Sequence, residues 1–327
     1  MPKDKRAGRR VRNSIVWGVV AVVVATAALV AVMIGRAASA DEGPFAGAQL
    51  YVYPDSAAAK AVKTSTGDAK TAAKQLAAQP TAIWLLPERF PTATVGRTVD
   101  GIVQQAASTG RMPVFVVYGI PQRDCGNQSA GGTASADYQD WVGEIAGALK
   151  DHKVAVIMEP DAVALAPDCG NQAERMSQLK QATKQLTAAG ADVYLDGGHS
   201  TWRPASEMAT LLREAGIDDA RGFATNVSNY NATDSELHYA AQLSELLGGK
   251  PFVIDTSRNG SGSNGDWCNP AGRTVGAEPL SVTAPHLDAN LWIKAPGESD
   301  GECGGGPQAG VWWPQRASEL AQGFSAW

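Results

Sequence analysis

The chain is predicted to fold as α/β, with a parallel sheet covered by helices. Short apolar, β-branched runs recur along it with helical stretches between them, at intervals of roughly 30–40 residues. Hydrophobic residues make up 44% and charged residues 19% of the 327 residues. That composition builds a sizeable core and excludes wholesale disorder. Residues 41–327 suit one α/β barrel or two small domains, and no dominant linker or low-complexity tract divides them.

Eight segments read as strands: Leu50–Tyr53, Ala82–Leu86, Val114–Tyr118, Val154–Met158, Val193–Leu195, Gly222–Thr225, Phe252–Ile254 and Leu291–Ile293. Each is a short apolar run of strand length. Between most of them the apolar positions take helical spacing, as in Thr98–Ser108, Ala136–Leu149, Gln172–Ala188, Ser206–Ala215 and Ser235–Leu247. Gly/Ser-rich stretches at 126–135, 259–265 and 297–306 each follow a strand and read as loop insertions at one rim.

Residues 1–40 read as targeting sequence. Lys3, Lys5, Arg6, Arg9, Arg10 and Arg12 precede an apolar run from Ile15 to Ile34, and Ala38-Ser39-Ala40 offers a small-residue cleavage site. The run is long enough to span a bilayer, so a cleaved signal peptide and an N-terminal membrane anchor through residues 15–34 both fit. In either case the basic end stays cytoplasmic and the body is exported. Beyond residue 40 the chain carries 21 basic and 32 acidic residues. An acidic body argues against nucleic acid as a partner and is compatible with a neutral ligand. Cys125, Cys169, Cys268 and Cys303 form an even set in an exported chain, which predicts two disulfides with three pairings open. There is no CxxC and the four His are scattered, so no metal or other cofactor is expected. Nine Trp against seven Tyr and six Phe is Trp-rich; aromatic platforms for sugars are one reason for such a ratio, and core packing accounts for part of it.

Polar residues gather where the strands end. The run Val154–Met158 stops abruptly in Glu159-Pro160-Asp161, because Pro160 cannot continue a central ladder. Other strands lead into Asp124, Asp196 to Trp202, Asn226 to Asn229, Asp255 to Arg258, Asp266 to Pro270 and Lys294 to Asp300. In βα folds the loops at the carboxyl ends of the strands carry the site. A turn or cap explains any one of these residues alone; the whole set marks a functional face. The chain has no G-x-S-x-G elbow, P-loop, H-E-x-x-H or G-x-G-x-x-G after a strand. Carboxylates with Trp fit glycosidic hydrolysis, in which one acid protonates the leaving oxygen and a second carboxylate assists water or attacks. Spacing alone leaves the acid open among Asp124, Glu159, Asp161, Asp196, Asp266 and Asp300.

The runs Tyr118-Gly-Ile-Pro-Gln-Arg-Asp-Cys125, Glu159-Pro-Asp161, Leu195-Asp-Gly-Gly-His-Ser-Thr-Trp202, Asp255-Thr-Ser-Arg-Asn-Gly260, Trp267-Cys-Asn-Pro-Ala-Gly-Arg273 and Trp292-Ile-Lys-Ala-Pro-Gly-Glu-Ser-Asp-Gly301 resemble the signatures of glycoside hydrolase family 6, in order, from residue 50 to about 315. The resemblance implies a distorted, TIM-like (β/α) barrel of about seven parallel strands over residues 41–327. It also implies inverting cleavage of β-1,4-glucan. By the same resemblance Asp161 is the general acid. Asp124 raises the acid's pKa, as a neighbouring like charge does, and helps convey the water's proton. Asp300 matches the carboxylate proposed as base, and Asp196 a further aspartate beside the cleaved bond. Tyr118 matches the ring that crowds the sugar there, and Arg123 is expected to pair with the aspartates.

For binding, the resemblance makes Trp84, Trp202 and Trp267 stacking platforms and Lys294 and Glu298 grips on sugar hydroxyls. Asn229, His199 and Arg273 become hydrogen-bonding neighbours. Arg258 reads as orienting a loop, His199 equally as a structural imidazole, Glu159 as structural, and Trp141, Trp292, Trp312 and Trp313 as core or rim. The implied disulfides are Cys125–Cys169 and Cys268–Cys303, each tying active-site loops together. One departure concerns the serine that related enzymes often have six residues after the Asp124 equivalent: here that count lands on Ala130, with Ser129 adjacent.

The expected activity is an exported, monomeric endo-β-1,4-glucanase acting on cellulose and cello-oligosaccharides. Cys169 to Val193 reads as one helix and the tail after Asp300 is short, which favours an open cleft. No Pro/Thr linker or appended binding module lies before Trp327, so soluble or amorphous glucan is expected. An exo-acting cellobiohydrolase on the same fold and a non-catalytic glucan-binding protein are the alternatives, and cleavage of the producer's own envelope glucan differs from the first only in substrate.

Overall fold

The computed structural model describes residues 43–326; residues 1–40, read from the sequence as a targeting segment, lie outside them. Gly47–Trp327 form one compact unit. Seven strands make one all-parallel sheet in sequential order: β1 (Ile83–Leu85), β2 (Val114–Val117), β3 (Ala155–Met158), β4 (Asp192–Asp196), β5 (Gly222–Thr225), β6 (Phe252–Asp255) and β7 (Leu287–Leu291). A parallel rung between Thr81 and Trp292 joins the β1 and β7 sides, so the sheet curls almost into a ring. This is the expected seven-stranded, distorted barrel. Among the described residues no helix is long and apolar enough to cross a membrane.

The strands are buried along nearly their whole length, as a sheet covered on its outer face requires. Alternate residues such as Phe115, Val117, Val156, Met158, Val193, Leu195, Phe223 and Ile254 belong to the main core with the helices. Those helices are α3 (Thr92–Ser108), α4 (Tyr138–Leu149), α6 (Gln172–Ala188), α7 (Ala205–Glu214) and α8 (Thr233–Leu246). On α3 the buried residues are Val95, Val99, Ile102, Val103 and Ala106, one stripe at helical spacing. Inside the curl, Tyr194 on β4 reaches Asp288 on β7 (2.6 Å), which also takes the Arg221 guanidinium (2.7 Å).

Two expected strands differ. Leu50–Tyr53 makes only a single bridge, Leu50 with Met112, because from Phe115 onward β1 takes the ladder on that side of β2. The last strand lies earlier than expected and stops at Leu291, since the N–H groups of Ile293 and Lys294 turn to the Asp255 carboxylate (3.1 and 3.0 Å). Two short helices precede β1, α1 (Ala57–Thr64) and α2 (Gly67–Ala77). With α9 (Pro314–Leu320) they close a smaller core of Ala58, Leu76, Val275, Trp292, Ala317 and Leu320. One more short helix, α5 (Ala162–Leu165), the fifth in chain order, follows β3. Between β6 and β7 the chain has no helix, and this long loop carries Arg258, Trp267 and Cys268.

Trp141 and Trp292 are fully buried core residues. Trp141 donates its indole N–H to the Phe90 carbonyl (2.8 Å). Its ring lies so close to Gly119 that a Cβ there would stand 2.5 Å from it. Core packing thus reaches the residue next to Tyr118. Trp141→Ala is expected to destabilise the fold by about 3–5 kcal/mol, read as a lower denaturant midpoint at unchanged slope.

Candidate active site

At the end of β3 two carboxylates part company. Glu159 and Asp161 both have positive φ, 49° and 69°. Glu159 turns inward, fully buried. It accepts the Gly119 N–H on both oxygens (2.9 and 3.0 Å) and the Tyr138 hydroxyl (2.9 Å), and so has a structural role. Asp161 turns outward and is half-buried. Its own N–H is held by Asp196 Oδ2 (2.9 Å), which also takes the Gly198 N–H (3.2 Å). No hydrogen bond from the described residues reaches the Asp161 carboxyl. Burial, then the charges of Asp124 and Asp300, push its pKa up to about 7 against the pull of Lys294. Asp196 is itself buried, and burial with the Asp161 charge raises it well above the usual carboxylate range. Asp196 therefore sits beneath the candidate acid and fixes its backbone.

Asp124, at φ 56°, is capped by Ser129. One carboxylate oxygen accepts both the Ser129 N–H and its hydroxyl (2.9 Å each). The Ser129 hydroxyl is also 2.7 Å from the Tyr118 hydroxyl. So Ser129, not residue 130, stands against the aspartate. Arg123 does not pair with the aspartates: it meets Glu88 (3.2 Å), donates to the carbonyls of Tyr118 and Ser129 (2.8 Å each), and lies over the Tyr118 ring. Its short link to Asp124 in the chain misleads, because the positive φ at Asp124 turns the two side chains apart. Trp84 packs edge-on to Tyr118 (5.1 Å) and donates its indole N–H to the Ile293 carbonyl (2.8 Å).

The cation on the carboxylate cluster is Arg258. Its guanidinium meets Asp300 Oδ1 (2.8 Å), donates to the Ser228 carbonyl and lies over Tyr230. Asp300 Oδ2 accepts the Tyr230 hydroxyl and the Asn269 N–H (3.0 Å each). Burial works against the Asp300 charge, but Arg258, Lys294 and the Asn269 N–H outweigh it and hold its pKa below the usual carboxylate range. Lys294 is 3.9 Å from Asp300 and lies over the Trp84 ring. Behind them Asp255 accepts four backbone N–H groups, those of Ser228, Ser257, Ile293 and Lys294 (2.9–3.1 Å). It ties the ends of β5, β6 and β7 together.

The other expected binding residues spread outward. His199 packs against Trp202 (5.3 Å). Asn229 is half-buried on the loop after β5 and accepts the Tyr230 N–H. Glu298 is half-buried, raised by burial against the pull of Lys294. Trp267 is 55% exposed, a free ring face at the rim. Arg273 is drawn away: its guanidinium donates to the carbonyls of Ala271, Ser261 and Gly262 and braces that loop.

Both disulfides have the implied pairing, Cys125–Cys169 and Cys268–Cys303. The two tethered loops also meet. Gln128 Oε1 accepts the Glu302 N–H (3.0 Å). Because β2 and β7 flank β1 in the ring, this bond crosses over the end of β1, where Trp84 stands. Among the described residues no group of three or more His, Cys, Asp or Glu is arranged to hold a metal ion.

Residues 45–323 match the family model for glycosyl hydrolases family 6. The chain belongs to that family. It is 44% identical over 274 residues to Endoglucanase A of Cellulomonas fimi, covering 84% of this chain and 61% of that protein, so it spans about three fifths of that relative's length. It is 31% identical to 1,4-beta-D-glucan cellobiohydrolase C of Emericella nidulans, covering 87% of this chain and 79% of that one. Among solved structures it is similar to the endoglucanase Cel6 from Mycobacterium tuberculosis in complex with methyl-cellobiosyl-4-deoxy-4-thio-beta-D-cellobioside. The two share 44% identity with a TM-score of 0.82, over 86% of this chain and 99% of that one. The family-6 fold and its seven-stranded sheet are therefore common ground.

Sequence reasoning missed Tyr230 as part of the site and gave Asp255, which it placed on the rim, no role. The signal was the density of Asn and Ser after β5, from Asn226 to Asn231, because short polar side chains that bond backbone groups shape irregular loops. Asp161 supplies a stability test. In the unfolded chain its pKa is about 3.9, whereas in the fold it is pushed up to about 7. Stability is therefore lost as pH rises from about 4 to about 7. Asp161→Asn carries no such cost and is expected to melt several degrees above the parent at pH 8 and close to it at pH 4, by calorimetry.

Proposed function

We propose that the chain is an exported, inverting endo-β-1,4-glucanase in which Asp161 is the general acid. The observation that carries this is the Asp161 carboxyl, which no hydrogen bond from the described residues reaches, set beside Asp124, Asp196 and Asp300, which are all engaged. Burial and its neighbours keep its proton on to about pH 7, the state a leaving glycosidic oxygen needs. Asp124 supplies the repelling charge. Its bond to Ser129, and that of Ser129 to Tyr118, offer a route for the proton that leaves the attacking water. Asp300 has one oxygen on Arg258 and the other on Tyr230 and Asn269. That arrangement favours a fixed anion which stabilises the oxocarbenium-like transition state, with the water's proton passing on the Asp124 side.

Trp84, Trp202 and Trp267 supply ring faces for sugars along the cleft, and Lys294 and Glu298 supply charged hydrogen-bonding ends. The relatives named as endoglucanases, and the one bound to a thio-cello-oligosaccharide, support β-1,4-glucan as substrate. Export is supported by two disulfides, which persist in oxidising compartments, with residues 1–40 as signal peptide or anchor. A second reading, chain-end action, is favoured by one observation: the Gln128–Glu302 bond that crosses the cleft.

Asp161→Asn is expected to lose about 10²–10⁴-fold in kcat on carboxymethylcellulose and far less on an aryl cellobioside whose leaving group needs no proton. Equal losses on both would remove Asp161 as the acid. The parent's kcat should fall above about pH 7, where the acid ionises. Proton NMR should show the α-anomer first. Rapid loss of viscosity before much reducing sugar appears marks internal cleavage, and the reverse order marks chain-end action.

A further inference from the structure

Beside Trp202 lies a polar chain with no part in the chemistry described above. Glu236 on α8 is fully buried and Asn231 nearly so. Glu236 Oε1 accepts the backbone N–H of Ser200 (3.0 Å), so it acts as an acceptor whatever the protonation of the group. Asn231 Nδ2 lies 3.0 Å from the same oxygen, which fixes the amide with its NH₂ toward Glu236. That NH₂ also faces His199 Nδ1 at 3.1 Å. The Asn231 backbone is held in place, its N–H donating to Asn226 Oδ1 (3.1 Å) and its main-chain carbonyl accepting from Asn226 and Asn259 (3.2 and 3.0 Å), while the Glu236 acceptor orients the side-chain amide. Two donors cannot face each other, so His199 Nδ1 is the acceptor and the ring proton sits on Nε2. The Thr201 hydroxyl, 3.1 Å from Nδ1, can also donate to it.

We propose that Glu236 and Asn231 are positioning residues which lock His199 as the Nε2–H tautomer, making it a neutral donor to a sugar hydroxyl beside the Trp202 ring. No described residue accepts from Nε2, and the half-buried ring packs on Trp202. Burial holds the imidazole pKa down to about 4, so the donor stays neutral where Asp161 works. A neutral donor leaves the carboxylate balance around Asp161 undisturbed, which an imidazolium would not. The identity of the acceptor rests on the glucanase reading; the tautomer does not.

The test is the long-range ¹H–¹⁵N spectrum of the histidine rings in ¹⁵N-labelled full chain, read without substrate and with His199→Gln to assign the ring. Four His make it tractable. The expected pattern is a protonated Nε2 and a bare Nδ1. Asn231→Asp replaces the donor with an acceptor and should move the proton to Nδ1, with kcat/KM on cellotetraose falling about tenfold or more. Glu236→Gln keeps an acceptor oxygen and should keep both the tautomer and the rate within about threefold. Thr201→Val should also keep the tautomer, because Asn231 holds it. A protonated Nδ1 in the parent would overturn the proposal even if Asn231→Asp fails to fold. So would an unchanged tautomer in Asn231→Asp, or a switched one in Thr201→Val.

Discussion

Backbone N–H groups that leave a parallel sheet at its carboxyl end have no ladder partner, and buried ones must find another acceptor. In this protein three buried carboxylates supply it. Glu159 takes the N–H of Gly119 after β2, Asp196 those of Asp161 and Gly198, and Asp255 those of Ser228, Ser257, Ile293 and Lys294. Charge-assisted bonds of this kind are stronger than neutral ones, and they fix the loops where the strands stop. Of the three other acids, Asp161 stands directly on backbone so held, while Asp300 donates its N–H to Asn269 Oδ1 (2.8 Å) and Asp124 is capped by Ser129. Three of the rim carboxylates thus build the site in which others can work.

This division was only partly legible in the sequence. The strands and most helices followed from apolar runs and their spacing, since burial imposes that pattern directly. Leu50–Tyr53 has the same pattern, yet β1 occupies the edge of β2 along which it would otherwise pair. Which arginine serves the carboxylates could not be read from proximity in the chain. Arg123 is next to Asp124 yet turns to Glu88, whereas Arg258, 42 residues before Asp300, meets it. Ion pairs form in space, after the loop backbone has set the directions. Ser129 was ambiguous for the same reason: a count along the chain ignores the turn that the positive φ values of Gln122, Asp124 and Cys125 impose.

Those φ values belong to a wider set. Glu159, Asp161, Asn226, Ser228 and Asn269 also occupy the left-handed region, each at roughly 1–3 kcal/mol. All lie in the loops that carry the candidate chemistry. The disulfides act on the same loops, Cys125–Cys169 beside Asp124 and Cys268–Cys303 beside Asn269 and Asp300. Cross-links restrict the unfolded chain, which offsets the strain stored where the carboxylates must hold their separation.

On the proposed glucanase reading, the bond between Gln128 and Glu302 bears on how a polymer would enter. A chain sliding in by its end passes beneath that bond without breaking it, whereas a segment laid in sideways must break it first. A neutral, solvent-exposed hydrogen bond is worth only about 1 kcal/mol, a threshold that thermal motion crosses constantly. In this architecture the choice between threading and straddling is a matter of degree, set by how many such contacts the two loops accumulate.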